Sequence, residues 1–265
     1  MKPKALILQA YGTNRDYDVA EALALAGAEA VPVPLNDLRA GKQRFRDFQM
    51  LVLPGGFSYA DALGAGKLLA IDLSAYFIDE INRFVESGKP VIGICNGFQA
   101  LIKSGVLPFG KDDRKEERRK KTATLTFNAG GHFECRWVTL KAVSQKCIWT
   151  KGLETLIECP IAHGEGNFQV NPVFDLPEFA ANGQVALVYA RPDGSPAAAG
   201  YPENPNGSIH DIAGICNPQG NVLGLMPHPE NHIHPFQHPN WTRGVSCHSG
   251  LALFENGVKY VQDIN

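Results

Sequence analysis

No charge of one sign dominates this chain. Twenty-five Lys and Arg face 27 Asp and Glu, a formal net charge of −2, so no global field draws it to nucleic acid or to an anionic membrane. No apolar run reaches the length of a membrane-spanning helix. No two cysteines have CxxC spacing; the six, at 95, 135, 147, 159, 216 and 247, are scattered through 265 residues. That argues against a disulfide framework and for a reducing, cytoplasmic setting. Internal repeats, low-complexity tracts and linkers are also missing, so residues 1–265 read as a single domain. The apolar stretch 5–10 runs into Tyr11-Gly12-Thr13-Asn14 without a small-x-small cleavage site, and reads as a first core strand rather than a signal segment.

What is present is ordinary for a globular protein, 44% apolar and 20% charged residues, enough to bury a sizeable core. The first hundred residues alternate strand and helix. Strands are expected at 5–9, 30–33, 50–53 and 91–94. A helix at 17–26, with Asp16 as its N-cap, and a long helical segment at 62–87 ending at Gly88 lie between them. This alternation predicts an α/β fold with a doubly wound, mostly parallel sheet and right-handed crossovers, its functional groups gathered beyond the carboxyl ends of the strands. After residue 121 the pattern changes to short strands at 123–127, 136–140, 157–162, 186–190, 209–216 and 222–226. The last two flank Asn217-Pro218-Gln219-Gly220 and are expected to pair as a hairpin. A helix at 251–261 closes the chain. Residues 111–121, Lys-Asp-Asp-Arg-Lys-Glu-Glu-Arg-Arg-Lys-Lys, form a charged insertion; its mixed signs favour a protein-docking surface over a nucleic-acid one.

The chemistry centres on Cys95. An apolar run, 91–94, leads into it, Gly93 and Gly97 flank it at two residues on either side, and a helical stretch at 98–103 follows. This is a strand–nucleophile–helix elbow, in which glycines admit a cramped turn and the helix N-terminus favours an anion. A cysteine nucleophile needs a base, and a base needs an orienting acid. His228 directly follows the apolar strand 222–226, and Glu230, two positions on across Pro229, is placed to hold its ring. An oxyanion needs donors: the N–H of Asn96, next to the nucleophile, and one from the Gly55-Gly56-Phe57 turn. The remaining histidines of the tail, His232, His234 and His238, alternate with prolines at 229, 235 and 239 in an extended loop, which gives no fixed ligand geometry, so no metal is expected. Residues 61–68 lack the first glycine and the hydroxyl of a phosphate loop, and no nucleotide site is read there.

Pro54-Gly55-Gly56, Gly93-Ile94-Cys95-Asn96-Gly97-Phe98-Gln99 and His228-Pro229-Glu230, in this order and separation, resemble the class I, or triad, glutamine amidotransferases. Longer matches, Pro54 to Asp61, Cys95 to Gln99, Ala162-His163-Gly164-Glu165-Gly166 and Leu225 to Glu230, resemble the branch of that family serving the fourth step of purine synthesis. The resemblance implies a flavodoxin-like sheet and a glutaminase. Cys95 attacks the side-chain amide of glutamine, and His228 and Glu230 assist. Gln99 helps to position glutamine, and His163 and Glu165 lie near it or near the partner surface. It also implies that ammonia passes to a synthetase subunit, with or without an additional small subunit. ATP and magnesium are used there to convert formylglycinamide ribonucleotide to formylglycinamidine ribonucleotide, with no cofactor on this chain. The insertion at 111–121 and the extension after residue 231 depart from the compact form of that branch. Three other readings stay open on the residues alone: an amidotransferase of another pathway, a cysteine hydrolase on the same fold, and a scaffold without turnover.

Overall fold

The computed structural model describes residues 2–108, 123–244 and 249–264; the charged insertion at 111–121 and Cys247 lie outside them. The fold begins with β1 (Lys4–Gln9), α1 (Asp16–Leu25), β2 (Glu29–Pro34), the short α2 (Leu35–Arg39) and β3 (Met50–Leu53). There follow α3 (Lys67–Asp72), α4 (Ile78–Glu86), β4 (Val91–Ile94) and α5 (Asn96–Lys103). Among the described residues, nine strands form one sheet in the order β2-β1-β3-β4-β11-β10-β9-β6-β7. Its second half comes from β6 (Glu134–Ala142), β7 (Ile157–His163), β9 (Val185–Ala190), β10 (Ile212–Cys216) and β11 (Val222–Leu225). β1, β2, β3, β4 and β11 run parallel, and β10, β9, β6 and β7 continue the sheet antiparallel. The chain goes outward from β1 to β2 and returns to β3 on the other side. Right-handed crossovers in opposite directions place helices on both faces.

Strand β4 is wholly interior: Val91, Ile92 and Ile94 are buried, each contributing about 1.5–3 kcal/mol of hydrophobic stabilisation. A second, two-stranded sheet pairs β5 (Ala123–Thr126) with β8 (Asn167–Val170). The expected β10–β11 hairpin is present, with Gly214 opposite Leu225. The closing helix α7 (Leu251–Ile264) packs against α1. Its Gly257 lies on Trp149 so tightly that a Cβ would come within 2.3 Å of the indole.

Three local expectations are corrected. Asp16 is the first residue of α1 rather than its cap, and its carboxylate accepts from the Gln9 amide of the neighbouring strand. The segment 62–87 is not one helix. Gly64 and Gly66 hold φ of 109° and 69°, so α3 starts only at Lys67, and a π-turn at Leu73–Phe77 separates it from α4. The strand predicted from 209 starts at 212, because His210 and Asp211 are left-handed at φ 51° and 58°. Helix α6 (Leu176–Ala181) and strands β5 and β8 add to the second half; α6 is capped by Asp175, which accepts from the N–H of Glu178.

Candidate active site

Parallel pairing of β4 and β11 brings together the two segments expected to carry the chemistry. Their register sets Ile94 beside Leu225, so Cys95 and the Met226-Pro227-His228 turn leave the sheet side by side at the carboxyl ends. The N–H of Cys95 donates to Leu225 O at 2.8 Å. Cys95 itself has φ 50° and ψ −104°, an elbow in a sparsely populated region that costs about 1–3 kcal/mol. The elbow closes because α5 rides on the strands through glycine. A Cβ at Gly97 would stand 2.0 Å from Leu53 O, and one at Gly93 would stand 2.5 Å from Leu101 Cδ1. The thiol is 4% exposed and lies 3.8 Å from Ala162 O.

The His228 ring is buried, and its Nδ1 donates to Glu230 Oε1 at 2.7 Å. Glu230 is fully buried, and its Oε2 has no protein partner among the described residues. Burial alone would strip the proton from His228, but the negative charges of Glu230 and of Cys95 outweigh it and push the pKa up to about 10. The ring therefore stands as an imidazolium near neutral pH, held by Glu230 on one nitrogen. The N–H of His228 donates to Pro160 O at 2.8 Å, which pins this turn to β7. Gly55, at the end of β3, lies against both groups. A Cβ there would fall 2.6 Å from His228 Cε1 and 3.5 Å from Cys95 Cβ.

The expected donors divide. The N–H of Asn96 opens α5, where the first helical N–H groups have no intrahelical acceptor. That of Phe57 is committed, donating to Gly12 O at 3.1 Å. Gly56 between them has φ 131°, and its Thr13 bridge ties this strand to the loop after β1.

Gln99 is buried, and its amide donates to Glu165 O at 2.7 Å. It fastens the loop between β7 and β8 to α5 rather than opening onto free space. The Glu165 carboxylate accepts from the N–H of Ala65 at 3.1 Å and pairs with Lys103 at 3.4 Å. His163 ends β7, and its Nδ1 donates to Asn128 Oδ1 at 3.1 Å. Its buried Nε2 has no partner among the described residues. Burial, and then the charge of His228, push its pKa down to about 3, so this second histidine is a neutral ring near the site.

Asn128, which sequence reading passed over, clamps this loop. Its amide donates to His163 O at 2.8 Å, and its carbonyl accepts from the N–H of Gly166 at 3.0 Å. No local signal marks this clamp, because His163 and Gly166 lie far along the chain from Asn128. Among the tail histidines, His232 and His238 share Glu158, the first through its backbone carbonyl and the second through its carboxylate, while His234 lies apart. His234 meets Glu21 at 2.8 Å, and His238 meets Glu158 at 3.4 Å. His232 and His238 both contact Trp137 edge-on.

The family of CobB/CobQ-like glutamine amidotransferase domains matches this chain over residues 2–261. The phosphoribosylformylglycinamidine synthase subunit PurQ of Treponema denticola is 52% identical over 269 residues, covering 98% of this chain and 100% of that protein. The subunit of the same name from Dehalococcoides mccartyi is 42% identical over 267 residues, 99% of each. Among solved structures, PurLQS from Thermotoga maritima superposes with a TM-score of 0.73 at 31% identity, over 98% of this chain and 99% of that one. A glutamine amidotransferase from Thermotoga maritima, 15% identical with a TM-score of 0.51 over 100% of this chain and 95% of that one, shares the fold.

Proposed function

This chain belongs to the family of CobB/CobQ-like glutamine amidotransferase domains, and from that premise we propose that it is the glutaminase subunit of a phosphoribosylformylglycinamidine synthase. It releases ammonia from glutamine for a synthetase subunit that converts formylglycinamide ribonucleotide to formylglycinamidine ribonucleotide in purine biosynthesis. ATP and magnesium serve that synthetase, an additional small subunit completes the complex, and the chain works in the cytoplasm. Among the described residues no helix is long and apolar enough to cross a membrane. The observation that carries the reading is Cys95 on its elbow beside the buried His228–Glu230 pair, in a chain matching PurQ subunits over nearly its whole length.

The Cys95 thiolate attacks the amide carbon of the glutamine side chain. The resulting oxyanion is held by the N–H of Asn96 and, since that of Phe57 is bonded to Gly12, by the N–H of Gly56. The His228 imidazolium gives its proton to the departing nitrogen, releasing ammonia and leaving a glutamyl thioester on Cys95. Neutral His228 then takes a proton from water, which attacks the thioester, and glutamate leaves as the thiolate re-forms. Glu230 keeps the ring turned and stabilises its charge throughout. Released ammonia must be kept from bulk water and protons, which calls for a partner seated over the site. Tyr11, Phe57, Leu63, Phe127 and Phe133 are exposed on segments adjoining it and supply apolar area for such docking.

Cys95→Ala tests the reading. With the synthetase partner, nucleotide and substrate present, glutamine-dependent synthesis should vanish while synthesis from added ammonia persists. Equal loss of both would remove Cys95 from the role given to it.

A further inference from the structure

Tyr59, Ala60 and Asp61 hold φ of 55°, 53° and 51° in succession. L-residues enter this region at a steric cost, and a run of three persists only where the surroundings over-determine it. Much of that determination comes from one side chain, that of Asn96, the residue after Cys95. Its Oδ1 accepts from the N–H of Ser58 at 3.2 Å and from the Ser58 hydroxyl. Its Nδ2 donates to Asp61 Oδ1 at 2.9 Å and to Gln99 Oε1 at 3.2 Å. Asp61 Oδ1 also accepts from the N–H of Gly66 at 3.3 Å, immediately before α3. One carboxylate oxygen thus joins the left-handed turn, the start of α3 and the start of α5. Tyr59 braces the turn from the other side, its N–H on Tyr11 O and its hydroxyl on Asp72.

The Asn96 amide is spent entirely on these partners, and Asn96 and Ser58 are each 2% exposed. The side chain therefore does not serve the substrate, but it fixes the peptide whose N–H faces the site. We propose that Asp61 is a positioning residue for glutamine hydrolysis: through the Asn96 amide it sets the direction of the Asn96 N–H toward the developing oxyanion. This rests on the glutaminase reading above. A donor that misses the oxyanion weakens only the transition state, because the ground-state carbonyl carries less charge.

The test compares Asp61→Ala and Asp61→Asn with the wild-type chain, each bound to the synthetase partner. For Asp61→Ala, kcat for glutamate release should fall on the order of 100-fold, the scale of losing one oxyanion donor. KM for glutamine should stay within about threefold, since the effect is confined to the transition state. Asp61→Asn, which keeps an acceptor for the Asn96 amide, should recover at least about tenfold of that loss. Alkylation of Cys95 by iodoacetamide forms no oxyanion, and its rate should be unchanged in both variants. Should Asp61→Ala not fold, Asp61→Asn and Ser58→Ala, which removes one donor to Asn96, carry the comparison, with smaller falls of the same kind. A kcat within twofold of wild type, or an alkylation rate that falls in step with kcat, would overturn the proposal. Amide hydrogen exchange separates it from the reading beneath it. A wild-type complex that releases no glutamate refutes the glutaminase reading. Faster exchange over residues 57–66 and at the start of α5 in the variants supports the Asp61 tether, and unchanged exchange refutes it.

Discussion

Surroundings, more than residue type, separate the cysteines of this chain. Cys159 sits in β7 with its thiol fully buried, and burial, then the charges of Glu230 and Glu158, push it well above the ordinary thiol range; it stays a neutral packing group. Cys95 sits on the elbow with a helix N-terminus ahead of it and His228 beside it. A cysteine set on a strand–helix elbow and a cysteine packed as filler thus occur within one molecule. The tightness of the elbow makes a second residue-scale prediction. Gly55→Ala would press a methyl group to 2.6 Å from His228 Cε1, a separation real side chains do not tolerate, so the ring must move. A shift of about 1 Å in catalytic geometry costs about 100-fold in rate. Glutamate release should fall by that order; full activity would mean that the ring steps aside freely.

At the scale of elements, β4 and α5 were legible because their determinants are local: an apolar run, then glycines at fixed offsets from Cys95. The break at 58–66 was not. Tyr59 and Ala60 have no intrinsic preference for the left-handed region, and the contacts that hold the turn there come from Asn96, Tyr11 and Asp72. The sequence therefore reads as helix from 62, and the structure delays the helix to Lys67. The seating of α5 on the sheet gives a stability prediction of its own. Gly97→Ala must push a methyl group into Leu53 O, 2.0 Å away, and overpacking of this kind costs about 1–3 kcal/mol. The denaturant midpoint should drop accordingly at an unchanged slope. A midpoint equal to wild type would show that α5 lifts from the strands without penalty.

For the whole molecule, two buried histidines oppose each other across pH. His163, pushed down to about 3 by burial and then by His228, refuses a proton that the unfolded chain accepts near 6.5. Its contribution is present above pH 6.5 and is lost as the pH falls toward 3. His228, pushed up to about 10, keeps a proton that the unfolded chain releases. Its contribution is full below pH 6.5 and is lost as the pH rises toward 10. These two groups together place their best stability near pH 6.5. Thermal unfolding followed from pH 4 to pH 10 should show both limbs, with His163→Gln flattening the acid limb and His228→Gln the alkaline one. If each variant leaves its limb unchanged, the titrations belong elsewhere.

The amino-acid sequence by itself determined what depends on near neighbours: the alternation that makes a parallel sheet, the glycines that make room for the Cys95 elbow, and the His228-Pro229-Glu230 spacing that pairs ring with carboxylate. Only the tertiary structure decided what depends on distant segments meeting. The pairing of β4 with β11 sets Cys95 beside His228. The β7–β8 loop settles on Gln99 and Lys103. The Phe57 N–H is taken by Gly12, and Asp61 reaches Asn96. Such contacts leave no periodic or short-range trace in the chain, because a hydrogen bond constrains where two groups meet in space and not how far apart they lie along the sequence.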